Sequence, residues 1–157
     1  MVEVKGAPLR DLFAGSEETL VWSCLEGCMG RAWADNALHP ATGRIITGDF
    51  CFFAGKPDAR FVSPLPMDKT QAVLVPPDKG WAELIECGYP GEIRRITRYA
   101  TQKDPSVFDR ERLHTLARGL PEGYRLARLT RELCEDLSGQ RWSESLCAHF
   151  DGPGDFL

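Results

Sequence analysis

The chain has 157 residues and a formal net charge of −4, which is long enough for one domain, residues 1–157, with a core of its own. The C-terminal half is rich in arginine but balanced by acids, and no basic patch is predicted, which argues against nucleic acid or an anionic membrane surface as a partner. The sequence has neither a signal-peptide pattern nor an apolar run long enough to span a bilayer. We therefore expect a soluble, cytoplasmic protein whose six cysteines are mostly reduced thiols.

The first elements lie in residues 22–57, which hold the most apolar part of the chain. Ser16 is a candidate N-cap of a helix, because acidic residues follow it in the first turn. Apolar residues then recur at helical spacing as far as Ala32 and predict one amphipathic helix. After a turn, residues 45–54 are almost continuously apolar. This pattern predicts one centrally buried strand.

Shorter elements follow in the middle of the chain. Residues 61–62 are candidates for a short edge strand within a proline-rich loop, and residues 71–75 predict a short buried strand. Asp78 is placed to cap a helix that Gly88 ends. Residues 92–101 alternate between charged and apolar side chains, which is typical of a half-exposed strand.

The last part of the chain contains two or three further helices. Ser106 and Asp109 match a capping box, and Gly119 ends the helix that they begin. Residues 123–130 are ambiguous, since leucines at helical spacing favour a helix while the residues at the start favour a strand. Residues 142–150 predict a last short helix. Together the elements indicate an α+β fold, a mixed and mostly antiparallel twisted sheet covered by helices.

Three motifs carry a resemblance to a known family. The sequences SCLEGCMGRAWAD, at residues 23–35, and GDFCFFAG, at residues 48–55, resemble the N-terminal half of a bacterial group of GNAT-type (GCN5-related) N-acetyltransferases, as does LPEGYRLARLTRELCEDL further on. The resemblance implies a strand to Leu129 and a helix that Thr130 caps. It also implies an acetyltransferase that moves an acetyl group from acetyl-CoA to an amine by direct attack.

The family's cofactor loop is absent from the sequence. The resemblance implies a loop that reads Arg or Gln, two residues, Gly, one residue, Gly or Ala, whose backbone amides hold the pyrophosphate of acetyl-CoA. None of the fifteen glycines has Arg or Gln three positions before it, and no Walker or dinucleotide fingerprint is present. We therefore expect no cofactor-binding residues here. The resemblance implies that the acetyl-CoA-binding half, with its catalytic residues, would lie beyond Leu157.

Two carboxylates are candidate catalytic residues. Glu26 lies on the predicted helix, away from most of its apolar face, and Asp49 begins the aromatic strand. Acids near a GNAT cleft could receive a proton from the attacking amine. The competing interpretation is structural, because a carboxylate at a strand entry commonly binds backbone or an arginine such as Arg44.

Three cysteines raise the question of a metal site. Cys24 and Cys28 share a face of the predicted helix, and Cys51 on the next strand could approach them, so three thiols could begin a zinc site. However, the sequence has no CxxC pair, and its three histidines stand in unrelated contexts. Buried thiols that act as small apolar residues are the favoured alternative, and we expect no metal.

Three functional hypotheses follow. The first is the N-terminal, acceptor-side half of a GNAT-like acetyltransferase, inactive alone, whose acceptor is a small-molecule amine or another acceptor that the sequence does not specify. The second is a non-enzymatic interaction module that pairs with a catalytic half or self-associates as a homo-oligomer, which predicts an exposed apolar surface. The third, a thiol-based metal or redox protein, requires the three cysteines to converge.

Overall fold

The computed structural model describes residues 1–65, 72–99 and 104–143. Its centre is one mixed sheet in which the strands neighbour one another in chain order. Neighbouring strands are antiparallel, except for the last pair, which is parallel. This sheet confirms the predicted fold class. The described strands are β1 (Val2–Val4), β2 (Arg31–Ala34), β3 (Thr42–Thr47), β4 (Phe50–Gly55) and β5 (Val73–Val75).

Four of the five described α-helices begin at a residue whose side chain caps the helix, the first helix being the exception. The side chain of Asp78 accepts a hydrogen bond from the backbone N–H of Trp81, and Thr130 caps its helix through Leu133 in the same way, so both predicted caps are confirmed. Short 3₁₀ turns occur at Ala7–Leu9, Pro105–Val107 and Arg141–Ser143. The described α-helices are α1 (Thr19–Leu25), α2 (Ala59–Val62), α3 (Lys79–Gly88), α4 (Arg110–Arg118) and α5 (Arg131–Ser138).

The first helix is much shorter than the predicted one. Glu18 rather than Ser16 occupies the N-cap position, and α1 ends at Leu25. Gly27 and Gly30 both have a φ of +80°, which an α-helix does not tolerate. The chain reverses there and enters β2, so Ala32 belongs to a strand and the prediction of one helix to this residue is wrong.

The predicted single strand at residues 45–54 is a hairpin. Thr47 pairs with Phe50, so Gly48 and Asp49 form a two-residue turn between β3 and β4. Gly48 has a φ of +56°, as type II′ hairpins require at the first turn position. Both strands are buried on both faces. Neither therefore shows the alternation of apolar and polar residues that would mark it as a separate strand.

Residues 61–62 lie in helix α2, not in an edge strand, because Asp58 accepts a hydrogen bond from the N–H of Arg60 and begins a helical turn. Asp109 itself caps α4, whereas Ser106 lies in the preceding 3₁₀ turn, so the predicted capping box is also wrong. Gly119 ends α4 as predicted.

No described strand forms at residues 92–99 or 123–129, where strands were predicted. Alternating side chains favour an extended chain, but a strand also needs a neighbour to accept its backbone hydrogen bonds. The remainder of three predicted elements, residues 71, 100–101 and 144–150, lies outside the described residues.

The sheet separates two apolar clusters. Successive residues of β4 point to opposite faces, so Phe52 packs in one cluster while Cys51 and Phe53 pack in the other. The first cluster lies under α1 and the N-terminal turn, and the second lies under α2 and α3. The principal residues of the first are Leu9, Val21, Leu25 and Ile45; those of the second are Trp33, Phe61, Trp81 and Ile85.

The described residues beyond α3 are mostly exposed. Tyr99 is 91% exposed, Tyr124 is 74% exposed and Leu126 is 73% exposed. Further exposed apolar side chains in the same part of the chain include Ile93, Ile96, Val107, Phe108, Leu113, Leu116 and Trp142. Within the described residues, no helix is long and apolar enough to cross a membrane.

Candidate functional site

A cavity of about 620 Å³ opens at the carboxyl ends of the parallel strands β4 and β5. Ligands of open sheets with parallel strands commonly bind outside these ends. One wall is the start of α1 with the loop before it, and the opposite wall is the loop that leads into α3. We call it the strand-end cavity. Its apolar lining includes Leu12, Phe13, Phe52 and Val75.

Three carboxylates line the strand-end cavity, those of Glu17, Glu18 and Asp78. No basic residue is among the described residues that line it. Asp78 is held in place because one of its oxygens accepts the N–H of Trp81 at 2.9 Å. Acidic residues over an apolar floor favour a cationic ligand with an apolar body.

The end of β4 is fixed by close backbone contacts around Gly55. Its φ is +74°, and a Cβ atom there would overlap the carbonyl oxygen of Ala41. The same carbonyl accepts the N–H of Lys56 at 2.9 Å. The indole Nε1 of Trp81 donates to the Gly55 carbonyl at 2.9 Å, which ties α3 to the strand end. These contacts hold in place the end of β4, which lines the cavity.

A second concave surface, the edge groove, has a volume of about 440 Å³ and lies between β5, α3 and residues 92–96. Its apolar lining includes Leu65, Leu74, Ile85 and Ile96. Arg95 donates to one carboxylate oxygen of Glu86 at 2.6 Å and 2.9 Å, which links the outer wall to α3.

The two catalytic candidates lie outside both surfaces. Glu26 is exposed at the C-cap of α1, and Asp49 is in the β3–β4 turn, at the end of β4 that is remote from the strand-end cavity. The carbonyl of Asp49 accepts the N–H of Val73 at 2.7 Å. A catalytic role for either carboxylate stays a prediction.

Arg44 does not pair with Asp49. It is 1% exposed on β3, and its guanidinium lies 4.9 Å from the ring centre of Trp33. Its Nη1 donates to the carbonyls of Phe61 at 2.8 Å and Pro64 at 3.2 Å, while Nε has no hydrogen-bond partner among the described residues. Burial lowers the pKa of Arg44, and this effect is opposed by the nearby Cys51 and Tyr89. Arg44 therefore joins the sheet to the segment after α2.

The three cysteines do not converge. Cys24 packs in the cluster under α1, Cys51 packs on the opposite face of the sheet, and Cys28 is exposed. Among the described residues, no group of three or more His, Cys, Asp or Glu side chains is placed to hold a metal ion. Burial raises the pKa of the Cys24 thiol to about 11 and that of Cys51 to about 12. The geometry that the thiol-site hypothesis requires is absent.

We expect alkylation at neutral pH to modify the exposed Cys28 and Cys87 rapidly, and Cys24 and Cys51 only when the protein unfolds. Mass spectrometry of digested protein gives the rates, with a sample in denaturant as control. Rapid labelling of Cys51 in the folded protein would contradict the burial.

Since both buried thiols have folded pKa values above the reference of 9.0, their contribution to stability should persist below pH 9 and be lost towards pH 12.

The fold and its motifs match one family. The family model for GNAT acetyltransferases matches residues 10–157, so this chain belongs to the GNAT acetyltransferase family. The comparison with curated proteins gives no match.

A solved structure described as a GCN5-related N-acetyltransferase-like protein from Streptococcus suis 89/1591 is 32% identical, with a TM-score of 0.75. The similarity covers 97% of this chain and 62% of that one, so this chain spans about three fifths of the relative's length.

The sequence analysis missed the residues of the strand-end cavity. Glu17 and Glu18 were interpreted only as helix-start acids, and Asp78 only as a cap. No sequence signal links these acids, because they come from two segments of the chain that only the folded sheet brings together.

Proposed function

We propose that this chain is the acceptor-side part of a GNAT acetyltransferase whose acceptor is a small-molecule amine. The strand-end cavity is the observation that carries the proposal. It lies where parallel strands commonly present ligands, and its charged lining is entirely acidic among the described residues. Membership of the family supports acetyl transfer as the chemistry, and acetyl-CoA as the donor.

The carboxylates suit an amine in two ways. An aliphatic amine is protonated at neutral pH, as the reference pKa of lysine illustrates, so Glu18 and Asp78 favour its entry. The amine must lose that proton before it attacks an acyl group, and a carboxylate within hydrogen-bond reach can accept it. Phe13 and Phe52 supply apolar contact for the body of the acceptor.

The starts of helices α2, α3 and α4 do not fit the pyrophosphate of acetyl-CoA. A phosphate site at a helix start needs free amide groups and no competing negative charge. Helices α2, α3 and α4 begin with Asp58, Asp78 and Asp109, whose carboxylates already accept backbone N–H groups. Together with the missing glycine loop, this supports a cofactor site on a separate cofactor-binding half, and a chain that is inactive alone.

The exposed apolar residues beyond α3 favour a second candidate function, an interaction module. Exposed apolar side chains that form a contiguous patch mark a site of protein contact, and these side chains are candidates for such a patch. The module would pair with the cofactor-binding half or with another copy of itself as a homo-oligomer. Pairing with that half is compatible with the acceptor-side proposal.

Titration by NMR tests the proposal directly. We expect putrescine to shift the amide signals around the strand-end cavity, and succinate, which carries the opposite charge, to leave them unchanged. Glu18→Gln should weaken putrescine binding by about threefold, a small factor because the carboxylate is exposed. Glu26→Gln is the matched control at the other end of α1 and should have no effect. Acetyl-CoA should not bind to the chain alone.

Either of two results would count against this function. Micromolar binding of acetyl-CoA would mean that a cofactor site exists without the glycine loop. The second is a set of amide signals that shift with putrescine around Glu26 or Asp49 instead of around the cavity. The acceptor site would then lie at one of these two candidate carboxylates.

A further inference from the structure

The outer side of β5 is open in the described structure. The N–H of Val73 donates to Asp49 at 2.7 Å, on the side that faces β4. Backbone groups of successive residues in a strand point to opposite sides, so the N–H and C=O of Leu74 point away from β4. No described strand pairs with them, since β5 is the last strand of the sheet. Such an edge can accept another extended chain.

The edge groove lies directly beside this open edge. Val73 and Leu74 form one wall, α3 forms the floor through Ile85, and residues 92–96 form the outer wall without pairing to the sheet. Ile96 is 53% exposed, although it lines the groove. The groove therefore offers backbone hydrogen bonds on one side and apolar contact on the other.

We propose that the edge groove binds an extended strand from the cofactor-binding half, which adds to the sheet beside β5. This inference rests on the proposed function. The occupant is argued from the Streptococcus suis relative, in which about two fifths of the chain lies outside the 62% matched here. Ile93 and Ile96 are exposed apolar residues that line the groove, and a strand bound there would cover them.

The groove also defines the chemistry of that strand. Alternate side chains of an added strand point into the pocket beside the edge, while its backbone supplies the affinity. Leu65, Leu74 and Ile85 provide an apolar pocket, and the one acid on its α3 side, Glu86, is already paired with Arg95. Uncharged, β-branched residues at alternate positions therefore fit best.

The probe is a synthetic peptide without an amine, acetyl-Thr-Val-Thr-Val-Thr-Val-Asn-amide, titrated by NMR into the whole chain. We expect it to slow hydrogen exchange of the Leu74 amide. Methylation of the peptide backbone nitrogens along one edge keeps the side chains but removes two or three hydrogen bonds, and should weaken binding by at least about tenfold. Ile96→Asp should weaken it by a similar factor. Leu38→Asp, an exposed leucine in the β2–β3 loop, is the matched control and should not.

Equal binding of the methylated peptide, or no change with Ile96→Asp, would overturn the inference. If the chain forms dimers that Ile96→Asp abolishes, and the peptide does not compete, the occupant is a second copy and the proposal is wrong. None of these results involves an amine or acetyl-CoA, so the proposed function is tested separately by the putrescine titration.

Discussion

Replacing Arg44 with alanine is expected to lower the free energy of unfolding by about 4 kcal/mol. The substitution leaves the buried carbonyl of Phe61 without its donor, which costs about 1–3 kcal/mol, and also removes a donor from the part-buried carbonyl of Pro64, at a smaller cost. It also removes the cation from the face of Trp33 and opens a cavity between the sheet and the segment after α2. Relief of the unpaired Nε offsets part of this loss. Urea unfolding at neutral pH measures the difference.

Arg31→Ala is the matched control. Arg31 also stacks on Trp33, at 5.2 Å, but its side chain is largely exposed and pairs with Glu3 at the surface. Exposed pairs contribute little, so the loss should be much smaller than for Arg44. Equal destabilisation by the two substitutions would show that the ring contact, not the buried hydrogen bonds, carries the effect. Arg44→Lys should fall between wild type and Arg44→Ala, because an ammonium keeps the charge but not the planar stacking.

The elements that the sequence predicts well are those with a local physical signal at each end. Helix α3 has an aspartate cap, an apolar face and a glycine in its last turn, and its bounds agree with the structure. The β3–β4 hairpin was missed because its turn consists of only two residues, Gly48 and Asp49. The strands on both sides of it are buried and show no alternation, so the whole segment looks like one strand. At residues 92–99 the alternation was real, but pairing depends on a neighbouring strand that sequence patterns do not report.

The candidate site could not be predicted as a unit. The strand-end cavity combines residues 12–18, residues 52–55 and residues 75–78, and no motif links these three segments. The register of β4 on β5 brings the last two segments together, and the packing of Leu12 and Phe13 in the same cluster as Phe52 adds the first. The motifs did identify the family, because family membership is carried by similarity over many residues. It does not require that any single residue indicate the chemistry. Arg44 was considered only as a partner for Asp49, because its burial becomes visible only when α2 and β3 are packed.

Gly55→Ala is expected to destabilise the protein by about 3 kcal/mol and to close part of the strand-end cavity. The positive φ costs an alanine about 1–2 kcal/mol, and relief of the overlap with the Ala41 carbonyl requires a backbone shift that costs a further 1–3 kcal/mol, as overpacking typically does. That shift would displace the carbonyl that Trp81 binds, so putrescine should also bind more weakly.

Gly27→Ala separates the two causes. Gly27 has a φ of +80°, but a Cβ atom there has no neighbour within 4 Å, so only the backbone strain remains and the loss should be about 1 kcal/mol. Gly27 lies outside the lining of the strand-end cavity, and its alanine variant should bind putrescine as the wild type does. If Gly55→Ala loses stability no more than Gly27→Ala, the close approach of β4 to Ala41 does not shape the cavity, and acceptor binding must depend on its carboxylates alone.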